Sequence, residues 1–474
     1  MFAARVVVKG KLKLLTPLHL GTGEVASYDS IRHDDPESGE AVSTRVATVM
    51  RDVLGMPVIP GASVKGVLRS LVADHAGAEV LFGSKAGADE LHQGRLTAHA
   101  LRYAASNDPA KLAGNLPFHA RAMPDGPSLV QRGLFIAART AIDPGTGTAD
   151  DQKLFHQEMV APDAEFSLHL SMRLDPPLAS AEAEECLIEA LSRLTAEDGV
   201  AFGKGQSLGQ GRLRLDPASL KVERLTVDTK SGKLEAKDDP ALAARIGKAT
   251  GAGASCRIVL KLTGDGPFLV DDTSIKPEKK SEKPRLNAQH RDGKPHLPGS
   301  TLAGALRARA AWLSRLRWND GRDGENRERI LALKDEAAAK ADPARVVTEP
   351  ANLTPTERLF GVTGWRSLVR IARVDCKTFA GFENITSVKL DRFSMAPIDG
   401  ALFTTRAAID PVFEAVLEIE KRGGFPSSDD NELLAALLED LQNEGLTLGH
   451  GTSRGYGWFG VGASEEQPAT GGHQ

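Results

Sequence analysis

Cysteine is nearly absent from this chain. Its three, Cys186, Cys256 and Cys376, stand 70 and 120 positions apart among 474 residues. That spacing provides no disulfide framework and no zinc-ligand pair. Aromatic residues make up only 5% of the sequence, which leaves few platforms on which bases could stack. No charge dominates: 59 Lys and Arg against 63 Asp and Glu give a formal net charge of −4. A basic coat over the whole surface is thereby excluded, while a local basic groove is not. Long apolar runs are missing too. The opening MFAARVVVKGKLKLL alternates apolar and polar residues and reads as neither a signal peptide nor a membrane span. No later stretch reaches the roughly 18 consecutive apolar residues a spanning helix needs. The expectation is a soluble, cytoplasmic protein of a reducing compartment, long enough for two or three domains.

What is present is the same pattern twice. PGASVKGVLRS, from Pro60, returns as PGSTLAGALRA, from Pro298. Leu81-Phe82-Gly83 returns as Leu359-Phe360-Gly361. Ile142-Asp143, ten residues and Leu154-Phe155 return as Leu390-Asp391, ten residues and Leu402-Phe403. GKGQSLGQGRL, from Gly203, returns as GHGTSRGYGWF, from Gly449. The four features keep their order, at offsets of 238, 278, 248 and 246. Four matches in order indicate a duplication. The second offset exceeds the first by 40, which locates an insertion in repeat 2 at about 318–357. Repeat 1 then spans 1–225, a polar, Gly- and Ala-rich linker 226–255, and repeat 2 256–462. The tail 463–474 has little to bury and reads as disordered.

Each repeat reads as α+β. VVVKGKLKLL and CRIVLKL alternate as strands. Val64, Val67, Leu68, Leu71 and Val72 fall on one helical face, leaving Lys65 and Arg69 off it. Pro-Gly-(Ala/Ser)-(Ser/Thr) ahead of that helix offers a turn and an N-cap residue type. A second helix, AEAEECLIEALSRL or NELLAALLEDLQNEG, precedes each glycine loop. Strand, helix, strands, helix, strand is the order of a ferredoxin-like or RRM-like unit.

Glycine at every second position exposes bare backbone to a close neighbour. That neighbour can be a packed strand, or phosphates bound by N–H groups with no side chain between. Two loops in register, with Lys204, Gly205 and Gly209 in one and Gly451, Ser453 and Arg454 in the other, favour nucleic acid. Neither is a P-loop or a dinucleotide fingerprint, since GKS/T is missing and each loop follows a helix. The start of the Pro-Gly helix, with Ser63, Lys65 and Arg69 in repeat 1 and Arg307 in repeat 2, is a second anion candidate. An ordinary solvated arginine is the alternative at each.

LTPLHLGTGE, PVIPGASVKGVLRS, LFG, RTAIDPGTGTADDQKLFHQEMVAPDAEF and the glycine loop together resemble the RAMP superfamily of CRISPR systems. The likeness is to backbone subunits of type III effector complexes in antiviral defence, and VKLDRFSMAPIDGALFTTRAAI repeats it. It covers nearly the whole chain apart from linker, insertion and tail. It implies two tandem ferredoxin-like RAMP domains, fused as in subtypes such as III-D, each with a thumb β-hairpin at about 139–158 and 388–405. It further implies binding along CRISPR guide RNA, with complementary target RNA and other effector subunits, including the large signalling subunit, as partners. Arg139 and Arg392 lie on the implied thumbs and join the RNA-binding candidates. Few aromatics suit a protein that reads backbone and shape and leaves sequence to base pairing. The stretch from Lys276 to Lys294 carries seven Lys or Arg against three acids, either an RNA-ordered segment or a solvated loop.

In that family a loop aspartate with a divalent ion cuts target RNA. Here Val46 stands where the acid would be in repeat 1. Asp29, Asp34, Asp35 and Asp52 lie in or beside that loop, and Asp271, Asp272 and Asp292 in its counterpart. Asp271 and Asp272 are the first choice for catalysis and for Mg2+, Asp29 and Asp34 the second. Asp143 and Asp391 match across the thumbs but suit turn caps. His19, His156 and His450 lack histidine counterparts, which argues against guide processing. Two other functions stay open: a guide-RNA scaffold without catalysis, and a duplicated ferredoxin-like enzyme for a small anionic ligand.

Overall fold

In the computed structural model, which describes residues 4–28, 44–84, 92–104, 133–139, 155–174, 180–227, 234–248, 256–271, 286–291, 293–318, 353–362 and 365–466, the alternating opening segment is a strand, Ala4–Leu14. Val6, Val8, Leu12 and Leu14 point inward and are fully buried, while Lys9, Lys11 and Lys13 face out. The period of two is what a sheet with one covered face requires. The chain divides into two compact units, the first holding Met1–Gln206 and Gln210–Gly253, the second Ser207–Gly209 and Ala254–Pro468.

In unit 1 the strand Ala4–Leu14 is central. Glu165–Arg173 pairs antiparallel along one side of it (Val8 opposite Leu170). Arg212–Leu215 pairs antiparallel on the other (Leu12 opposite Leu215). Leu96–Ala98 and Leu101–Ala104 lie beyond Glu165–Arg173. Helices Gly61–Leu71 and Ser180–Leu194 bring Val64, Leu68, Leu187, Leu191 and Leu194 into the core. Unit 2 repeats the order: Trp458–Glu466, Cys256–Asp265, Val412–Ile419, Val369–Thr378, all antiparallel. Helices Gly299–Trp318 and Ser428–Glu444 cover it, and Phe268, Phe413 and Phe459 interlock with centroids 5.4–5.9 Å apart. Both units are therefore ferredoxin-like, with spatial strand order 4-1-3-2, as the sequence order predicts.

A smaller sheet in each unit carries the hairpin. Unit 1 joins Gly21–Tyr28, Thr44–Val49, Phe155–Val160 and Leu134–Arg139. Unit 2 joins Pro267–Phe268, Pro397–Ile409, Leu286–Asn287 and Gly381–Leu390. Each contains one parallel pair, Ala47 opposite Gln157 and Leu286 opposite Thr405. Gln157 and Thr405 are separated by the offset that relates the two Leu-Phe motifs, so the duplication extends to strand register.

Three boundaries differ from the sequence reading. Residues 226–255 are not simply a linker. Leu225 and Thr226 lie within the strand Lys221–Val227, opposite Arg5 and Ala4. Leu234–Asp238 adds an edge, and helix Pro240–Gly247 buries Leu242 and Ile246 in the unit 1 core. Low overall hydrophobicity concealed two apolar residues at helical spacing. The tail begins later than 463, because Trp458–Glu466 continues to pair with Cys256–Asp265 through Arg257 opposite Glu466. Most of the 318–357 insertion lies outside the described residues, though its last three positions open the helix Pro355–Phe360. That helix is fastened by a buried ion pair, Arg358 Nε to Asp430 Oδ1 at 2.7 Å.

If helix Pro240–Gly247 belongs to the fold, Leu242→Ala should destabilise the full chain by about 2–4 kcal/mol, the usual cost of such a cavity. Urea denaturation would measure it, and an unchanged midpoint would return the segment to linker status.

Candidate nucleic-acid interface

Each glycine loop is docked by the same three backbone hydrogen bonds. In unit 1, Lys204 N–H donates to the His19 carbonyl (2.9 Å), Gly211 N–H to Pro17 (2.8 Å) and Phe202 N–H to Gly211 (2.8 Å). In unit 2, His450 N–H donates to Leu269 (2.7 Å), Gly457 N–H to Pro267 (2.8 Å) and Leu448 N–H to Gly457 (2.8 Å). Approach this close requires glycine. A Cβ on Gly211 would stand 2.0 Å from the Phe202 carbonyl oxygen, and one on Gly457 would stand 1.9 Å from that of Leu448. Both glycines also sit at φ near +70°. His19 and Leu269 correspond through their carbonyls alone, so matching side chains could not reveal the pair.

Between the docked ends each loop makes a short 3-10 turn, Gln206–Leu208 in the first loop and Thr452–Arg454 in the second, and the second turn carries the polar candidates Ser453 and Arg454. Lys204, Ser453 and Arg454 are exposed, and Gly205, Gly209 and Gly451 are at positive φ. The second loop therefore combines close backbone packing at its ends with an open middle that carries Arg454, whereas the middle of the first loop is half-buried and uncharged.

The unit 1 loop rests on a buried polar group. The Glu158 carboxylate, fully buried, accepts Val49 N–H at 3.0 Å and Arg51 Nη2 at 2.6 Å. His19 Nδ1 lies 2.7 Å from the Glu158 carbonyl oxygen, which can only accept, so Nδ1 carries the proton. Burial, and secondarily the Lys204 charge, hold the His19 imidazole below its ordinary pKa, against the opposing carbonyl bond. Glu158, Arg51 and Gln210 were not among the sequence candidates. Glu158 sits in the quoted thumb motif, but its counterpart in repeat 2 is Arg406, so the repeat comparison does not mark it.

On helix Gly61–Leu71, Lys65 and Arg69 are one turn apart and partly buried. Burial, then the Arg69 charge, lowers the Lys65 pKa. One Arg69 guanidinium nitrogen is buried without a hydrogen-bond partner. Like charges at this spacing repel, and a bound anion would relieve both costs. Ser63 is not the N-cap: Pro60 holds that place, without a side-chain cap bond, and Ser63 lies within the first turn. Arg307, on Gly299–Trp318, is exposed.

The unit 2 thumb is the hairpin Gly381–Leu390 with Pro397–Ile409. Asp391 caps its turn, accepting Phe393 N–H (2.9 Å), Ser394 N–H (2.8 Å) and Ser394 Oγ–H (3.0 Å). Those bonds lower its pKa below the usual aspartate range. Arg392 is exposed in the turn, beside Phe393, 93% exposed, and Met395, 69% exposed. In unit 1, Arg139 ends the strand Leu134–Arg139, and burial lowers its pKa. Asp143 and the hairpin connection lie outside the described residues.

Of the four catalytic candidates, Asp271 alone lies among the described residues. Asp271 is partly buried; its carboxylate accepts Asn287 N–H at 3.1 Å and its carbonyl accepts Gln289 Nε2 at 2.9 Å. Asp272, Asp29 and Asp34 lie outside the described residues, as do Asp35 and Asp292. Asp52 is a turn cap for Leu54 and Met56, and Val46 is fully buried in the strand Thr44–Val49. Among the described residues no group of three His, Cys, Asp or Glu is placed to hold a metal.

Two ferredoxin-like units, each with a thumb hairpin and a docked glycine loop, define a tandem RNA-binding architecture. A sequence model of the RAMP superfamily matches residues 11–214 and 249–460, and the chain belongs to that family. RAMP proteins bind CRISPR guide RNA within effector complexes, which makes this chain a CRISPR-associated RNA-binding subunit. No curated protein matches the chain. Among the described residues no helix is long and apolar enough to cross a membrane.

The Asp391 cap has a pH signature. Its folded pKa lies below the unfolded one, so its stabilisation is present above the unfolded value and disappears as pH falls through the folded value. The protection factors of the Phe393 and Ser394 amides, exchange rates referred to the intrinsic rate at each pH, should therefore fall in acid, and Asp391→Ala should remove that step.

Proposed function

We propose that this chain is the guide-RNA-binding backbone subunit of a type III CRISPR effector, with the fused double arrangement seen in III-D-like systems. One observation carries the proposal: two glycine loops, docked by identical hydrogen bonds, stand beside a hairpin base in two consecutive units. That arrangement suits a ligand with a repeating backbone. Guide phosphates would run over Lys204, the exposed middle of the second loop and the Lys65–Arg69 helix face. The apolar unit 2 thumb tip, Phe393 with Met395, would displace a base from the guide–target duplex. Contacts of this type ignore sequence, as a subunit serving any guide must. The other effector subunits, including the large signalling subunit, and complementary target RNA are the partners on this reading.

A second reading adds target cleavage. Asp271 bridges to Ala288 beside the short strand that pairs with the thumb, so the Asp271-Asp272 segment starts at the thumb base. A splayed phosphate above that base would meet Asp271.

One experiment addresses both readings. The chain, assembled on guide RNA, receives labelled complementary RNA with Mg2+. Guide binding at nanomolar to micromolar affinity, falling steeply with salt, is expected. Discrete cuts that vanish in Asp271→Ala/Asp272→Ala, and persist in Asp29→Ala/Asp34→Ala, would establish the cleaving loop. Bound guide with intact target would leave a scaffold. Absence of guide binding would overturn the backbone reading.

A further inference from the structure

The two loops use an arginine in related but inverted ways. In unit 2, Arg454 projects from the loop, and its guanidinium lies 5.6 Å from the centre of the Phe403 ring and 5.2 Å from that of Tyr456. Phe403 is on the returning thumb strand Pro397–Ile409, and Tyr456 is in the loop itself. In unit 1 the direction reverses. Arg139, from the thumb strand Leu134–Arg139, reaches the loop residue Gln210; with the Gln210 amide turned so that its oxygen faces the guanidinium, that oxygen accepts Arg139 Nη1 at 3.0 Å and also Nη2. Gln210 and Tyr456 are separated by 246, the offset of the two glycine loops, and so occupy one repeat position.

The same glycine makes room in both. A Cβ on Gly205 would stand 2.1 Å from the end of the Gln210 side-chain amide. A Cβ on Gly451, its repeat partner, would stand 3.1 Å from both the Tyr456 ring and Arg454 Nη2. Each loop is thus hollowed at one position to seat the residue that receives the arginine. Two different chemistries, an amide acceptor and a pair of aromatic faces, accomplish the same junction of loop and thumb. A cation serving only a phosphate needs no such seat.

We propose that Arg139 and Arg454 are positioning residues that latch each thumb to its glycine loop, rather than direct guide-phosphate ligands. This rests on the guide-binding reading, which supplies the reason for coupling the two: RNA settling on the loop would find the thumb already oriented. Tyr456 and Gln210 are the receiving side of the latch, and Phe403 holds the unit 2 arginine against the hairpin.

The test separates a latch from a phosphate ligand. Full-length Arg454→Leu, Arg454→Lys and Phe403→Leu are compared with wild type. Hydrogen exchange of the free protein comes first. Amides in 381–409 should exchange about tenfold faster in Arg454→Leu and Phe403→Leu, with partial rescue in Arg454→Lys, while 256–265 stays unchanged. Guide binding follows across a salt series. A latch predicts severalfold weaker binding with an unchanged log–log slope, whereas loss of one phosphate contact lowers the slope by about 0.7 on single-stranded RNA. A lowered slope with unaltered hairpin exchange would overturn the proposal. Should Arg454→Leu loosen the whole unit, Phe403→Leu still decides, because Phe403 has no charge to offer a phosphate. If the wild type binds no guide, the backbone reading fails, while the exchange arm still reports on the latch.

Discussion

Everything at the interface depends on how closely the glycine loop approaches the chain just before each hairpin base. The loop ends dock on Pro17 and His19 in one unit and on Pro267 and Leu269 in the other. Those docking carbonyls sit next to Leu18 and Phe268, which pair with Val160 and Ala408 of the thumb strands. Loop, main sheet and hairpin are thereby joined within three residues. A single methyl at Gly211 or Gly457 would drive a carbon into a carbonyl oxygen, and nothing nearby can yield except backbone. The glycines therefore do more than confer flexibility: they set the distance at which the two sheets of a unit are joined.

Much of this was legible in the sequence. Ordered repeats exposed the duplication, and the alternating strands and periodic helices implied a ferredoxin-like order. What escaped was of two kinds. Equivalences carried by backbone, such as His19 with Leu269, leave no mark in residue identity. Networks that differ between the units are also hidden, because comparing repeats rewards sameness. Glu158 with Arg51 supports unit 1 from within, and nothing at the matching unit 2 position is acidic. Helix Pro240–Gly247 was missed because two buried residues are too few to raise a hydrophobic signal in an Ala-rich stretch.

The low aromatic content deserves a finer statement than composition allows. Most of the described phenylalanines are structural, as in the Phe268, Phe413 and Phe459 cluster. Phe393 is instead held out by a turn that Asp391 ties together, and Phe403 lies under a guanidinium. Few rings are present, yet three of them, Phe382, Phe393 and Phe403, are on the unit 2 thumb. Scarcity across the chain and concentration at one element are compatible, and only the second bears on RNA.

The unit 2 thumb has one more consequence. Among the described residues its outer strand, Gly381–Leu390, pairs only with Pro397–Ile409, so ten residues present an open row of backbone donors and acceptors. Val388 and Leu390 are exposed along it. An edge of that length invites addition of a strand from another molecule. Glu383 and Lys389 place charges near its two ends, a modest deterrent. Self-association through this edge would grow with protein concentration, so a dilution series would register it more directly than a thermal melt.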